Sequence, residues 1–195
     1  MKSQFIGIAT LAAALAACAT PAPTADEAAL AAEGRKIALG MQQNLAGKLF
    51  AEIGKSGPAG AIGVCKTMAP EASAEFSRSS GWRVTRVSLK VRNPVLGMPD
   101  AWEQAALLDF DSRAAAGADA ATLERAEVVR EPQGRYFRYM KALPVQALCV
   151  NCHGAADKLP AAVKAQLATT YPHDRATGYS PGQIRGAISL KRPLD

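Results

Sequence analysis

The sequence predicts an α+β domain in which a long N-terminal helix and flanking helices pack on an antiparallel sheet. Three observations carry that expectation. Leu30, Ile37, Met41, Leu45, Leu49 and Ile53 recur at helical spacing, which gives one apolar face. The run Trp82-Arg83-Val84-Thr85-Arg86-Val87-Ser88-Leu89 alternates apolar with polar residues, as a half-buried strand does. Helical segments lead and then mix with strands, without the strand–helix–strand rhythm of a parallel sheet. At 195 residues, 49% hydrophobic and 21% charged, the chain suits one medium domain rather than two.

Met1-Lys2 and the apolar run from Phe5 to Ala17 read as a signal peptide over residues 1–17, too short to span a bilayer. Leu15-Ala16-Ala17-Cys18 resembles a bacterial lipobox, which would make Cys18 a lipidated N-terminus. The alternative is an ordinary signal cut at a small-residue site, giving a soluble periplasmic protein. Either way the chain is expected to be exported, and with the lipid it is held on the periplasmic side of a bacterial membrane. Residues 18–27, rich in Ala, Thr and Pro, form a flexible tether, and the folded domain takes residues 28–195.

Thr24 or Asp26 caps the first helix, and Gly-Lys-Ser-Gly-Pro at 54–58 ends it. In the next segment Ala61, Cys65, Met68, Ala72 and Phe76 share a helical stripe, with a kink or restart expected at Pro70. The strand at 82–89 closes in an Asn93-Pro94 turn, and Asp100 caps a helix through Trp102, Ala105, Leu108 and Phe110. Residues 114–120 are loop or frayed helix. Leu123–Val129 and Arg135–Met140 form a hairpin around Pro132-Gln133-Gly134. A helix from Pro160 to about Thr170, loops at 171–174 and 177–182, and a strand at 186–190 complete the domain.

The motif that carries chemistry is Cys149-Val150-Asn151-Cys152-His153. Two thiols at this spacing can add to the two vinyl groups of a porphyrin, and the adjacent imidazole then lies against the iron as its proximal ligand. One covalently bound haem c is the reading. Zinc needs about four ligands at suitable spacings, and only His153, His173 and a distant Cys65 accompany the pair. A Cys149–Cys152 redox disulfide, in a thiol–disulfide oxidoreductase without haem, is the competing use of the same residues. The formal charge of +6 comes from scattered Lys and Arg. It suits an acidic redox partner or anionic headgroups, and nucleic acid is not implied because no binding motif accompanies it. A lone cysteine on an apolar stripe is as a rule a small buried hydrophobe, and Met41 is a core residue by its spacing. Cys65 and Met68 are nevertheless able to approach an iron from the side opposite His153.

Several short segments recur together in a fixed order. They are Val64-Cys65 with Ala69-Pro70-Glu71, Gly81-Trp82-Arg83-Val84, Ser88-Leu89-Lys90, Arg92-Asn93-Pro94, Pro99-Asp100 and Trp102-Glu103. Cys149–Gly154 and the tail Gly178-Tyr179, Gly182, Arg185–Ser189 follow. Their order and spacing resemble a family of small exported c-type haem proteins with a PAS-like fold, over nearly the whole chain from Ala28 on. The resemblance implies a six-coordinate iron with His153 on one side and a Cys65 thiolate on the other. A thiolate donates electron density to ferric iron and lowers the reduction potential. His173, on a loop, and Met68, Met98 and Met140 are the rival sixth ligands. Lys90, Arg92 and Arg185 are candidates to pair with the haem propionates.

The function expected is one-electron transfer or redox sensing by a membrane-tethered, single-haem protein with a separate redox partner. No catalytic set accompanies the motif, so no enzyme is expected. A haem-based sensor of nitric oxide or carbon monoxide, signalling through another protein, is the alternative. In it the thiolate leaves the iron on reduction or gas binding.

Overall fold

The computed structural model describes residues 24–194. The expected signal peptide and the lipidated Cys18 lie outside the described residues. Helix α1, Ala25–Ser80, opens on a capping box: Thr24 Oγ1 accepts from Glu27 N at 3.2 Å, and the Glu27 carboxylate accepts from Thr24 N at 2.8 Å. Its first turn therefore takes up residues 25–27, which composition alone assigns to the tether.

Inside α1 the backbone leaves helical angles at Gly57 (φ 70°, ψ 176°), a conformation that favours glycine. Pro58 then starts a second arm, as a proline at a first helical position does. The second arm returns along the first, and a Cβ on Gly40 would lie 3.3 Å from the Phe76 ring. Residues 54–58 thus turn a helical hairpin. The restart expected at Pro70 does not occur, and α1 stays helical through it. Packing on both sides holds the arm helical against the lost hydrogen bond: Ile62 packs with Leu159 and Val163, and Ala72 is fully buried.

The sheet is four-stranded and antiparallel throughout, in the order β1-β4-β3-β2: β1 Arg83–Val87, β4 Ile184–Pro193, β3 Gly134–Pro144 and β2 Glu124–Glu131. Alternation sorts each strand onto two faces. On one face Trp82, Val84, Phe137, Tyr139, Ile188 and Leu190 bury against Ala38 and Met41 of the first arm. The approach is close, and a Cβ on Gly34 would sit 2.9 Å from Tyr139 Cγ. On the other face Val87, Met140, Ala142, Ile184 and Ala187 meet helix α3, Ala101–Ala115. The short helix α2, Pro94–Gly97, bridges β1 and α3. The α+β class, the antiparallel sheet and the long N-terminal helix agree with the expectation.

Asp100 caps α3 with its own capping box, as the sequence predicts. The buried stripe, however, runs through Glu103, Ala106, Leu107 and Phe110, and Leu108 is 54% exposed. The helix is rotated because Glu103 turns inward. Its Oε1 accepts from Ser189 Oγ at 2.6 Å and lies 3.3 Å from Arg138 Nη2, so the buried charge is paired.

Candidate functional site

After β3 the chain turns through a 3-10 turn at Ala147–Cys149 and helix α4, Val150–His153. This run puts Cys149, Cys152 and His153 on one short coil. Backbone pairs tie the coil to the 171–183 loop: Tyr179 N donates to His153 O at 2.9 Å, Gly178 N to Gly154 O at 2.8 Å, and Gly182 N to Val145 O at 2.9 Å. Cys149, Cys152 and Cys65 are all free thiols, each half-buried.

His153 Nδ1 lies 2.7 Å from the carbonyl oxygen of Ala176, a fully buried residue. A carbonyl only accepts, so Nδ1 carries the proton and Nε2 keeps its lone pair, the arrangement of a ligating histidine. Arg185 Nε stands 3.2 Å from the same nitrogen. With Nδ1 protonated, that approach is a contact rather than a hydrogen bond. Burial, then the Arg185 and Arg92 guanidinium groups, push the imidazole well below its ordinary pKa and keep it neutral.

The Gly57–Pro58 break in α1 abuts this coil, with Cys152 Sγ 4.0 Å from Pro58 O. Cys152 packs with Ala59 and Tyr171 against Ile62, Leu159, Val163 and Leu167, the last two from helix α5, Ala161–Thr170. Burial raises its thiol pKa. Cys65 follows two turns along the second arm. Its thiol is also pushed up by burial, while Arg86 draws it down, Cys152 adds to the rise and Arg92 opposes it. The structure thus brings Cys65 to the same neighbourhood as Cys152, whereas sequence spacing alone reads it as core.

The rival ligands lie in different surroundings. His173 is exposed, Met98 is 62% exposed, and Met140 is fully buried on the α3 face of the sheet. Met68 is half-buried on the Cys65 arm. Among the described residues no three His, Cys, Asp or Glu side chains cluster as a metal site would require.

The three cations picked from the sequence surround the coil, each already engaged. Arg92 donates Nε to Asp174 Oδ2 at 3.1 Å and Nη2 to Cys152 O at 2.6 Å. Arg185 donates Nη1 to Ser88 Oγ at 2.8 Å, and burial lowers its pKa to about 10. Lys90 donates to Thr177 O at 3.2 Å and lies 4.6 Å from the Tyr179 ring centre. Arg86 shares the register face of Trp82 and Val84 on β1 and is exposed.

A cavity of about 150 Å³ between Leu89, Leu107, Asp111 and Tyr179 lies on the α3 side of this coil, and a groove runs along the α1 hairpin beside Leu39 and Phe76. Neither is lined by His153 or a cysteine, so the site is defined by its donor set rather than by either hollow.

A family model described as Tll0287-like, Tll0287, matches residues 16–193. The chain belongs to the Tll0287-like family. A solved structure of that family, described as the crystal structure of the cyanobacterial heme-protein Tll0287, superposes with a TM-score of 0.60 at 28% identity. The match covers 89% of this chain and 98% of that one. No curated protein matches. That relative is a haem protein by its description.

Proposed function

We propose that this chain carries one haem c, joined through Cys149 and Cys152, with His153 as proximal and Cys65 as distal ligand, in a PAS-like domain serving one-electron transfer or redox sensing. The observation that carries the reading is His153: its Nδ1 proton is committed to Ala176 O, which leaves a bare Nε2 beside two free thiols on one coil. The residues present fit the group in their donor chemistry. A neutral imidazole, a cysteine on the opposing helix and a ring of arginines are what a ferric porphyrin with two carboxylates needs. When bound, the haem supplies a reversible one-electron couple.

The residues then act by holding. The 171–183 loop fixes the His153 ring through Ala176, and Arg92 ties that loop to the coil through Asp174 and Cys152 O. Cys65, as a thiolate ligand, favours the oxidised state and lowers the potential. His153 and Cys65 would hold the iron from the protein, so the role proposed is electron transfer or sensing rather than an enzymatic one. Burial raises the pKa of the half-buried Cys152 thiol, which weakens it as a nucleophile for thiol exchange. Export, a lipid on Cys18 and a separate redox partner complete the proposal.

The test is the spectrum of protein made with a haem-attachment system. A c-type pyridine haemochrome, and a haem that stays with the chain on acid–organic extraction, support the reading. A colourless product with titrating thiols sinks it. Low-spin ferric EPR of thiolate type that disappears in Cys65→Ala assigns the distal ligand. Carbon monoxide binding to the reduced protein would move the role toward gas sensing.

A further inference from the structure

Three large apolar side chains stand exposed together on α2 and its C-cap: Val95 at 89%, Leu96 at 53% and Met98 at 62%. The other exposed large hydrophobics, Leu39, Phe50, Leu108 and Leu148, are spread over α1, α3 and the 3-10 turn. Single exposed apolar residues are ordinary, but a contiguous set marks a contact surface. The α2 turn seats on the body through Gly97. Ser88 N donates to Gly97 O at 3.1 Å, and a Cβ on Gly97 would meet Val91 Cγ1 at 3.6 Å and Arg86 O at 3.8 Å. With Gly97 against the body, Val95, Leu96 and Met98 form a small projecting knob.

The knob can leave water at little cost to its backbone. Pro94 and Pro99 have no N–H. Val95 N donates to Asn93 Oδ1 at 3.1 Å, and Leu96 N and Gly97 N donate to Asn93 O at 3.3 and 2.9 Å. Donors already paired inside the turn remove a main penalty of entering an apolar medium. The surrounding charge is positive. Arg175 N donates to Val91 O at 2.9 Å, which sets Arg175 beside the seat of Gly97. Arg86 and Arg175 are both exposed, and neither is in an ion pair among the described residues. The nearby carboxylates are engaged: Asp100 pairs with Arg138 at 2.7 Å, Asp174 with Arg92 at 3.1 Å, and Asp111 shares its cavity with Lys90. A stable protein partner takes about 800 Å² from each side, more than one four-residue turn presents. A bilayer needs only an apolar tip with cations at its rim.

We propose that α2 is a membrane-contact element: Val95, Leu96 and Met98 enter the interfacial layer of a bilayer, and the exposed arginines around them meet its anionic headgroups. The assignment depends neither on the haem reading nor on a lipid at Cys18. Its consequence for the site is positional. Arg92 directly precedes Asn93 and donates Nη2 to Cys152 O at 2.6 Å, so the 149–153 coil is carried toward the membrane with the turn. The experiment treats the full wild-type chain with chloramine-T and follows each methionine by mass spectrometry. It is run without lipid, on vesicles of phosphatidylethanolamine and phosphatidylglycerol in equal parts, and on phosphatidylcholine vesicles. Met98 is the exposed reporter, and the fully buried Met41 and Met140 report the fold. Met98 oxidation slows about tenfold on the anionic vesicles and little on phosphatidylcholine, and high salt restores it. Val95→Ser with Leu96→Ser returns the lipid-free rate, and the fold is kept because both side chains are exposed. A chain held only by its N-terminus leaves α2 in water and Met98 at the lipid-free rate, so an anchor does not imitate the result. An unchanged Met98 rate on anionic vesicles overturns the proposal, as does protection that survives the double substitution. Equal protection on phosphatidylcholine overturns the role given to the arginines.

Discussion

Removing the Asp174 carboxylate tests how the His153 loop is held. Its Oδ2 accepts from Arg92 Nε at 3.1 Å and its Oδ1 from Ala176 N at 2.8 Å. The ion-paired side chains are only 15% and 8% exposed, so this is a mostly buried pair. Ala176 is also the residue whose carbonyl fixes the His153 ring. Asp174→Ala strands Arg92 on the Cys152 carbonyl and orphans the Ala176 N–H. Breaking a buried pair at one partner costs about 3–5 kcal/mol. The orphaned N–H brings roughly 1–3 kcal/mol more. The two losses share one side chain and overlap, so the net expectation is about 4 kcal/mol. For a domain of this size that lowers Tm by roughly 8–16 °C. Asp174→Asn keeps an acceptor for Ala176 and loses only the charge, so it costs about half as much. Urea unfolding followed by circular dichroism, run with Arg92→Ala and the double variant, measures the coupling. A cost below about 1 kcal/mol for Asp174→Ala, or equal costs for Ala and Asn, refutes the reasoning.

Other sites give sharper single outcomes. Gly34→Ala places a methyl 2.9 Å from Tyr139 Cγ, a ring with no exposed surface, and is expected to cost about 1–3 kcal/mol in the same unfolding assay. Glu124 is held below its ordinary value of 4.5 by hydrogen bonds from Arg35, against burial, with further help from Tyr139. Its folded pKa lies under its unfolded one, so its stabilisation is present above about pH 4.5 and is lost as pH falls through the folded value. Glu124→Gln therefore flattens the acid limb of a Tm–pH profile and leaves the slope above pH 6 unchanged. His173→Ala, at an exposed loop position, leaves the holo spectrum intact and changes stability by less than about 0.5 kcal/mol. A lost or shifted ferric spectrum in that variant would return His173 to the coordination sphere.

The sequence by itself determined what is local. Thr24 with Glu27, and Asp100 with Glu103, announce two helix starts because a cap needs a side chain and a backbone N–H three residues apart. Alternation at 82–89 marks a strand, because side chains of a pleat point to opposite faces, and Pro132-Gln133-Gly134 marks the turn between the two strands of a hairpin. Cys149, Cys152 and His153 stand at a spacing that one short coil satisfies. Tertiary structure decided the rest. The second arm of α1 stays helical through Pro70 because Ile62 and Ala72 are held on either side of it. The inward face of α3 passes through Glu103 rather than Leu108 because Ser189 and Arg138, distant in sequence, supply the partners. Arg92 and Arg185 hold the fold around the coil because Asp174, Cys152 O and Ser88 lie within their reach. Spacing along a chain fixes which face a residue takes, but which atoms it meets there depends on packing between segments far apart in sequence.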